Sequence, residues 1–366
     1  MLKFTCHLLC LALTCVPATA SDAEASLAPT RQWVGQGRSM QVDITLPQAA
    51  EGASLLLLDS DGKTLERIEN VTSGQIELGE RLPGIWSLDQ AAWLQLVVDG
   101  QPMGSPLVVV PLLDRPTMRT VQERRPDGRS YTKIVGWGDR LYEGIQRESI
   151  QESDSWKPAH RVARSGLHVY PEMDVVMETS AGDIRLAMAP EHAPRTAWHF
   201  TKLVEEGFYD ETIFHRVVHI DRSGHPFVIQ GGDPTGRGDG GTGGTIPMEP
   251  SGLMHDFGVI SMAREDDPDS AGTQYFICLS RMGTRRLDGQ YCGFGWAIDG
   301  VEPILTIAES RISDPVAGRP AEPPVVRKAS LVPAEPFKPG IPRIAARVRD
   351  PLLAPPRDPE QGRMPR

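Results

Sequence analysis

The sequence is poor in cysteine, in aromatic residues and in long apolar runs, and each shortage excludes something. Five cysteines occur in 366 residues. Three of them, Cys6, Cys10 and Cys15, fall within the first twenty positions, leaving Cys278 and Cys292 in the body of the chain. One pair in a chain of this length is no disulfide framework, and both sit in apolar, strand-like sequence that suits buried thiols. Aromatics make up only 6% of residues. After the first twenty residues no apolar run approaches the roughly 18 residues that cross a bilayer. "LLLL" at Leu55 to Leu58 is a strand-sized burst. Basic excess is also lacking. Asp and Glu number 48 against 38 Lys and Arg, a net charge of -10, so there is no electrostatic reason to expect nucleic-acid binding.

What is present begins with "MLKFTCHLLCLALTCVPATA". Lys3 is a short positive region, Leu8 to Val16 is apolar, and Ala18-Thr19-Ala20 is a small-residue cleavage motif. This pattern predicts a signal peptide over residues 1–20, a mature chain from Ser21, and a protein exported to the periplasm or outside the cell. Residues 30–113 read as β structure. "MQVDITL" alternates with period two, and Asp61-Gly62 and Asp99-Gly100 each separate strand-like runs, a hairpin signal resting on positive φ at both turn positions. A β-sandwich-like domain is expected, with Trp33, Trp86 and Trp93 available for its core. Residues 114–171 are charged and turn-rich and read as a linker with a possible hairpin around "YTKIVGW". From Met173 the texture changes: a strand pair turns at Ala181-Gly182, and "APRTAWHFTKLVEEGFYD" carries a helical apolar face of Ala197, Phe200, Leu203 and Val204. Pro194 suits the first turn of that helix and Gly207 its end. The segment 335–366, rich in proline and arginine, is expected to be a disordered tail.

"FHRVVHIDRSGHPFVIQGGD" holds three histidines, His215, His219 and His225. The four-residue spacing of the first two is that of a zinc helix. The paired valines favour a strand instead, where the two would lie roughly 13 Å apart, too far to share one zinc ion. No glutamate follows the first histidine. No metal site and no cofactor are therefore expected. The glycine cluster Gly238 to Gly244 lacks the Lys-Ser/Thr and the following helix of a phosphate-binding loop.

Without the segment His219 to His225, the stretch becomes "FYDETIFHRVV…PFVIQGGDPTG". Further on come "GTGG" at Gly241 to Gly244, "GVISMAR" at Gly258 to Arg264, "DPDSAGTQYFI" at Asp267 to Ile277 and "LDGQYCGFG" at Leu287 to Gly295. Together and in this order they resemble the cyclophilins, peptidyl-prolyl cis–trans isomerases, over about residues 172–334, and with the leader an exported bacterial type. The resemblance implies a mainly β protein whose isomerase domain is a closed eight-stranded antiparallel barrel capped by two helices, with a peptide groove outside. It implies Arg216 as catalytic arginine and Gln230 as the residue that orients it. Gln274, Ala263 and Arg264 would bind the peptide chain, and Phe227, Val228, Phe276, Leu287 and Tyr291 would line the proline pocket. Partners would be proline-containing polypeptides, with no membrane span. The partner of the N-terminal domain is unspecified. A non-catalytic proline-peptide-binding scaffold is the alternative.

The chemistry needs neither nucleophile nor metal. Cis and trans X-Pro forms differ little in energy but interconvert over tens of seconds or longer, because amide resonance must be lost. A site that holds the twisted amide better than the planar one accelerates the exchange. The sequence departs from the family pattern in places. His219 to His225 is an apparent insertion at the groove rim. Arg286 stands where cyclosporin-sensitive members carry tryptophan, which predicts weak cyclosporin binding. Tyr291 replaces a histidine of many eukaryotic members, Val228 a methionine, and Arg264 an asparagine.

Overall fold

A computed structural model of the chain describes residues 25–143 and 163–351. The leader of residues 1–20 and the tail beyond residue 351 lie outside the described residues.

The first part is built on two antiparallel sheets. A three-stranded sheet runs in the order Ser26–Pro29, Gln41–Thr45, Gly74–Glu77. A six-stranded sheet runs Trp33–Gly35, Arg164–Pro171, Gln101–Leu113, Ala92–Val98, Ala53–Leu58, Thr64–Glu69. Leu55 and Leu57 enter one apolar cluster with Val42, Ile44, Leu94 and Leu96. Leu56 and Leu58 point the other way, into a second cluster with Trp93, Val110 and Phe337. The four-leucine run is thus buried on both faces, as a strand without polar alternation must be. Of the three tryptophans assigned to this core only Trp93 is fully buried; Trp33 is 55% exposed. The two Asp-Gly turns also differ. Asp99 and Gly100 both have positive φ, whereas at the first turn only Gly62 does. There the Asp59 carboxylate accepts the amides of Asp61 and Lys63 and fixes a different turn.

Of the stretch expected as a linker, residues 144–162 lie outside the described residues, and the rest is largely strand. Met118–Arg124 pairs with Ser130–Trp137 as a hairpin. Arg164–Pro171 belongs to the six-stranded sheet, between Trp33–Gly35 and Gln101–Leu113. Its alternation is real, since Leu167 and Val169 enter the core, but charged residues before it masked the period.

The second part is a nine-stranded antiparallel sheet, in the order Thr212–Ile213, Val325–Pro333, Met173–Thr179, Gly182–Met188, Gly293–Asp299, Val259–Met262, Tyr275–Cys278, Pro226–Gly231, Arg216–Ile220. The expected closed eight-stranded barrel is corrected to a curled, open ladder. Its two end strands are successive pieces of one segment, broken at Phe214-His215. At the break the Phe214 amide turns to the Pro324 carbonyl and the Val217 amide to the Gly318 carbonyl. Helices Pro194–Glu205 and Val301–Ala308 place Phe200, Leu203, Ile304 and Ile307 in the cluster that fills the curl.

Residues 335–350 are anchored to the rest of the chain through Phe337 and Arg343, which corrects the expected disorder for that portion of the tail. Phe337 meets Trp93 edge-on at 5.7 Å, and its amide donates to Gln95 Oε1 at 2.7 Å. The Gly340 and Arg343 amides donate to the Gly62 and Ser60 carbonyls. Arg343 is the keystone. Its guanidinium pairs with Glu172 and with Glu191 and lies over Trp93 at 4.3 Å and Trp296 at 5.5 Å. Composition predicted disorder because it counts prolines and charges. It does not register that one phenylalanine and one arginine meet partners already built on both parts of the chain.

Candidate active site

The site starts from one cross-strand pair. Arg216 and Gln230 are directly opposite in the ladder of Arg216–Ile220 and Pro226–Gly231. This register brings Arg216 Nη1 to Gln230 Oε1 at 3.1 Å. Gln230 Nε2 donates in turn to Gln274 Oε1 at 3.1 Å. Gln274 Nε2 donates to the carbonyls of Gly238 and Gly240 at 3.0 and 3.1 Å. Each amide is used once as acceptor and at least once as donor, so its orientation is fixed by its neighbours. Arg216 is half-buried. Burial lowers its pKa, partly offset by Tyr291, and a guanidinium keeps its charge through such a shift.

The chain of amides ends on a residue that the sequence reading passed over. Asp233 is 1% exposed. Its Oδ1 accepts the Thr235 amide and hydroxyl at 2.7 and 2.8 Å. Oδ2 accepts the Gly238 and Gly240 amides at 2.5 and 3.1 Å. Burial opposes the charge, but the hydrogen bonds from Gly240, Thr235 and Gly238 outweigh it and bring the pKa to about 2. The carboxylate therefore shapes the glycine loop whose carbonyls hold Gln274. Glycine is required at 240, where a Cβ would fall 2.2 Å from Asp233 Oδ1. The signal was visible as an acid directly after Gly231-Gly232 and before a glycine-rich loop.

Beside this polar chain lies an apolar cluster containing Val228, Phe276 and Leu287, with Phe227, Ala263 and Tyr291 packed against it half-exposed. Phe276 and Tyr291 meet edge-on at 5.6 Å. All of the expected pocket residues are thus brought together. Val228 is buried within the cluster, at 2% exposure. Phe227 packs with this cluster, while Ile229, two residues on, enters the interior. The Ala263 amide donates to the Gln274 carbonyl at 2.9 Å. Arg264 lies over the Tyr291 ring at 4.8 Å and donates to the Gln290 carbonyl at 3.1 Å.

Two supports were not legible beforehand. Behind Phe276, fully buried His255 bonds Ser261 Oγ at 2.9 Å and Asp288 Oδ1 at 3.2 Å, and Arg281 pairs with Asp288. Burial lowers the His255 pKa despite Asp288, so the ring is neutral at pH 7. At the Tyr291 end, the Gln290 side chain accepts from the Ile134 amide at 3.0 Å and donates to its carbonyl at 2.8 Å. The hairpin Met118–Trp137 is thereby clamped to the pocket wall.

The histidines of the opening motif do not converge. His215 is buried with both ring nitrogens unpartnered, His219 is exposed on its strand, and His225 follows the turn Asp221–Gly224. Among the described residues no group of three His, Cys, Asp or Glu side chains is arranged to hold a metal ion. No described helix is long and apolar enough to cross a membrane.

Known proteins share this arrangement of sequence. The family model described as cyclophilin type peptidyl-prolyl cis-trans isomerase/CLD matches residues 174–331. Peptidyl-prolyl cis-trans isomerase ppi1 of Schizosaccharomyces pombe is 38% identical over 161 residues, which are 43% of this chain and 97% of that protein. The chain belongs to the cyclophilin-type peptidyl-prolyl cis-trans isomerase family. Peptidyl-prolyl cis-trans isomerase-like 1 of Gibberella zeae is 36% identical over 44% of this chain and 96% of its own length. A Cryptosporidium parvum cyclophilin-type isomerase, solved in the presence of the dipeptide Ala-Pro, is 30% identical and covers 44% of this chain and 99% of its own, at a TM-score of 0.40. These relatives are eukaryotic, so the likeness carries the cyclophilin type and does not carry the exported bacterial type expected from the sequence. The match leaves out the two-sheet part, the Met118–Trp137 hairpin and the segment after Pro333.

Proposed function

We propose that this cyclophilin accelerates cis–trans isomerisation of X-Pro bonds in exported polypeptides as they fold, by electrostatic stabilisation of the twisted imide without a covalent intermediate. The observation that carries the mechanism is the Arg216 guanidinium, held by Gln230 and Gln274 beside a pocket of Phe227, Phe276, Leu287 and Tyr291. The barrier of about 18–20 kcal/mol is lost amide resonance. As the C–N bond twists, the prolyl nitrogen regains a lone pair. Arg216 spends one donor on Gln230 and keeps others to offer to that nitrogen, while the pocket holds the ring. Because the donor is already oriented, little reorganisation accompanies the twist. Each tenfold gain requires roughly 1.4 kcal/mol of preference for the twisted form. Gln274 and the Ala263–Arg264 backbone run beside the groove and suit the binding of extended peptide. No acid–base group is needed, because no covalent bond is made or broken.

The export part of the reading rests on Lys3, the apolar run Leu8 to Val16 and Ala18-Thr19-Ala20. Its test is the mass of the protein recovered from producing cells. A chain starting at Ser21 supports periplasmic or extracellular action, and an intact residue 1–20 segment contradicts it. The isomerase part is tested by refolding a protein whose slow phase is limited by proline. Catalytic amounts of the full chain should abolish the slow phase. Unchanged refolding with measurable peptide binding would favour the non-catalytic scaffold.

A further inference from the structure

We infer that Arg286 is a specificity-determining residue that selects substrates carrying a carboxylate side chain on one side of the proline. This rests on the isomerase reading for the site and adds the substrate class. The guanidinium of Arg286 lies over the Phe227 ring at 4.2 Å, so it forms the wall of the pocket at that end. Two acceptors pin it, both through Nη1: Asp221 Oδ2 at 2.6 Å and the Gly283 carbonyl at 2.5 Å. Among the described residues Nε and Nη2 meet no acceptor, and these two donors form one side of the planar fork that matches a carboxylate. The side chain is 51% exposed, so that side is open to a ligand.

Asp221 belongs to the segment His219 to His225 that extends the hairpin beyond the family pattern. Its Oδ1 accepts the Ser223 and His225 amides at 2.8 and 3.2 Å, which leaves Oδ2 for Arg286. The insertion therefore does more than lengthen a turn. It aims an arginine across the mouth of the pocket. Among the described residues Asp221 is the one carboxylate paired with Arg286, and the sequence neighbours of the pair, Arg222 and Arg285, are both exposed, so this end of the groove is positive in a chain of net charge -10.

The other end differs. The Ala263 amide pairs with the Gln274 carbonyl, and the Leu279 amide with the Phe227 carbonyl. Arg264 and Arg286 are thus separated by the strand from 274 to 279, roughly 16 Å at the rise of a strand. Arg264 is followed by exposed Glu265, Asp266 and Asp267. A bound peptide meets excess positive charge beyond one side of its proline only, so the preference is confined to one side.

The test uses the full chain and peptides Ala-X-Pro-Y-Ala, with glutamate, glutamine or lysine placed at X or at Y. Exchange rates and dissociation constants are read together by NMR. The glutamate-to-lysine ratio of kcat/KM should be at least about fivefold at one of the two positions and near one at the other. It should fall with added salt, collapse to below about twofold in Arg286→Gln, and be partly retained in Arg286→Lys, which keeps charge without the fork. Equal ratios at both positions in the wild type, or a ratio unchanged in Arg286→Gln, would overturn the inference. A glutamate preference in dissociation constant that is lost in Arg286→Gln, with no acceleration of any peptide, would overturn the isomerase reading and reduce the role of Arg286 to selecting bound peptides. Failure to bind any of the peptides would remove both.

Discussion

Replacing Asp233 by asparagine tests whether the polar chain behind Arg216 is held from its far end. The buried carboxylate accepts four hydrogen bonds, two on each oxygen. Asparagine removes the charge and points an NH2 group either at the two backbone amides of Gly238 and Gly240 or at the Thr235 amide, where the Thr235 hydroxyl can turn to accept. Hydrogen bonds to a charged group contribute roughly 1.5–3 kcal/mol each, and a donor left facing a donor loses that and more. The lowered pKa expresses the same hydrogen bonds as a free energy. A fall from 3.8 to about 2 corresponds to roughly 2 kcal/mol of stabilisation by the ionised form. The expected loss in Asp233→Asn is therefore roughly 2–4 kcal/mol at neutral pH, read from urea unfolding followed by tryptophan fluorescence. The sign with pH follows from the lowered value. The stabilisation is complete above about pH 4 and disappears as pH falls toward 2, so the wild type should lose this increment on acidification and the variant should not. Because Gln274 would lose its carbonyl anchors, kcat/KM should also fall between about 10- and 100-fold. A variant within about 0.5 kcal/mol of wild type, with the same acid limb and the same activity, would refute the reasoning.

Three further outcomes follow from the same geometry. Gln290→Ala strands the amide and carbonyl of fully buried Ile134 and should cost roughly 1–3 kcal/mol; hydrogen exchange should show the Met118–Trp137 hairpin losing protection, and an unchanged hairpin would contradict the clamp. Arg343→Ala leaves Glu172 and Glu191 buried without their cation and should destabilise by roughly 3–5 kcal/mol; limited proteolysis should then cut within residues 334–350, where the wild type resists. Cys278 and Cys292 are both buried free thiols; burial pushes Cys278 far up and Cys292 to about 12. The form lacking residues 1–20 should show no thiol reactive toward Ellman's reagent at pH 8 when native and two after unfolding, and rapid native reaction would contradict the burial.

The sequence was most readable where local periodicity and ordered motifs coincide. Phe227, Val228, Gln230, Gln274, Phe276, Leu287 and Tyr291 fall in three separate stretches of the chain, and the structure brings them to one place beside Arg216. Their grouping came from motif order, since by composition alone most of them would be taken as core. What stayed hidden depends on contacts distant in sequence. The packing of Phe337 and Arg343 needs surfaces presented by Trp93, Trp296, Glu172 and Glu191. The strand Arg164–Pro171 finds its neighbours on both sides among residues 33–113. The open ladder follows from a two-residue break at Phe214-His215, which pattern alone does not distinguish from a continuous strand. Asp233 was passed over, because its role is to accept backbone amides that do not identify themselves in the sequence.

The central claim is that a preset Arg216 stabilises the twisted imide. Its most direct test is NMR exchange of an Ala-Pro peptide with the full chain, wild type beside Arg216→Ala. The account predicts fast exchange by the wild type and a loss of kcat of about 100-fold or more in the variant, with peptide affinity little changed. Catalysis within about threefold of wild type in a folded Arg216→Ala protein would contradict it, because the donor to the prolyl nitrogen would then lie elsewhere.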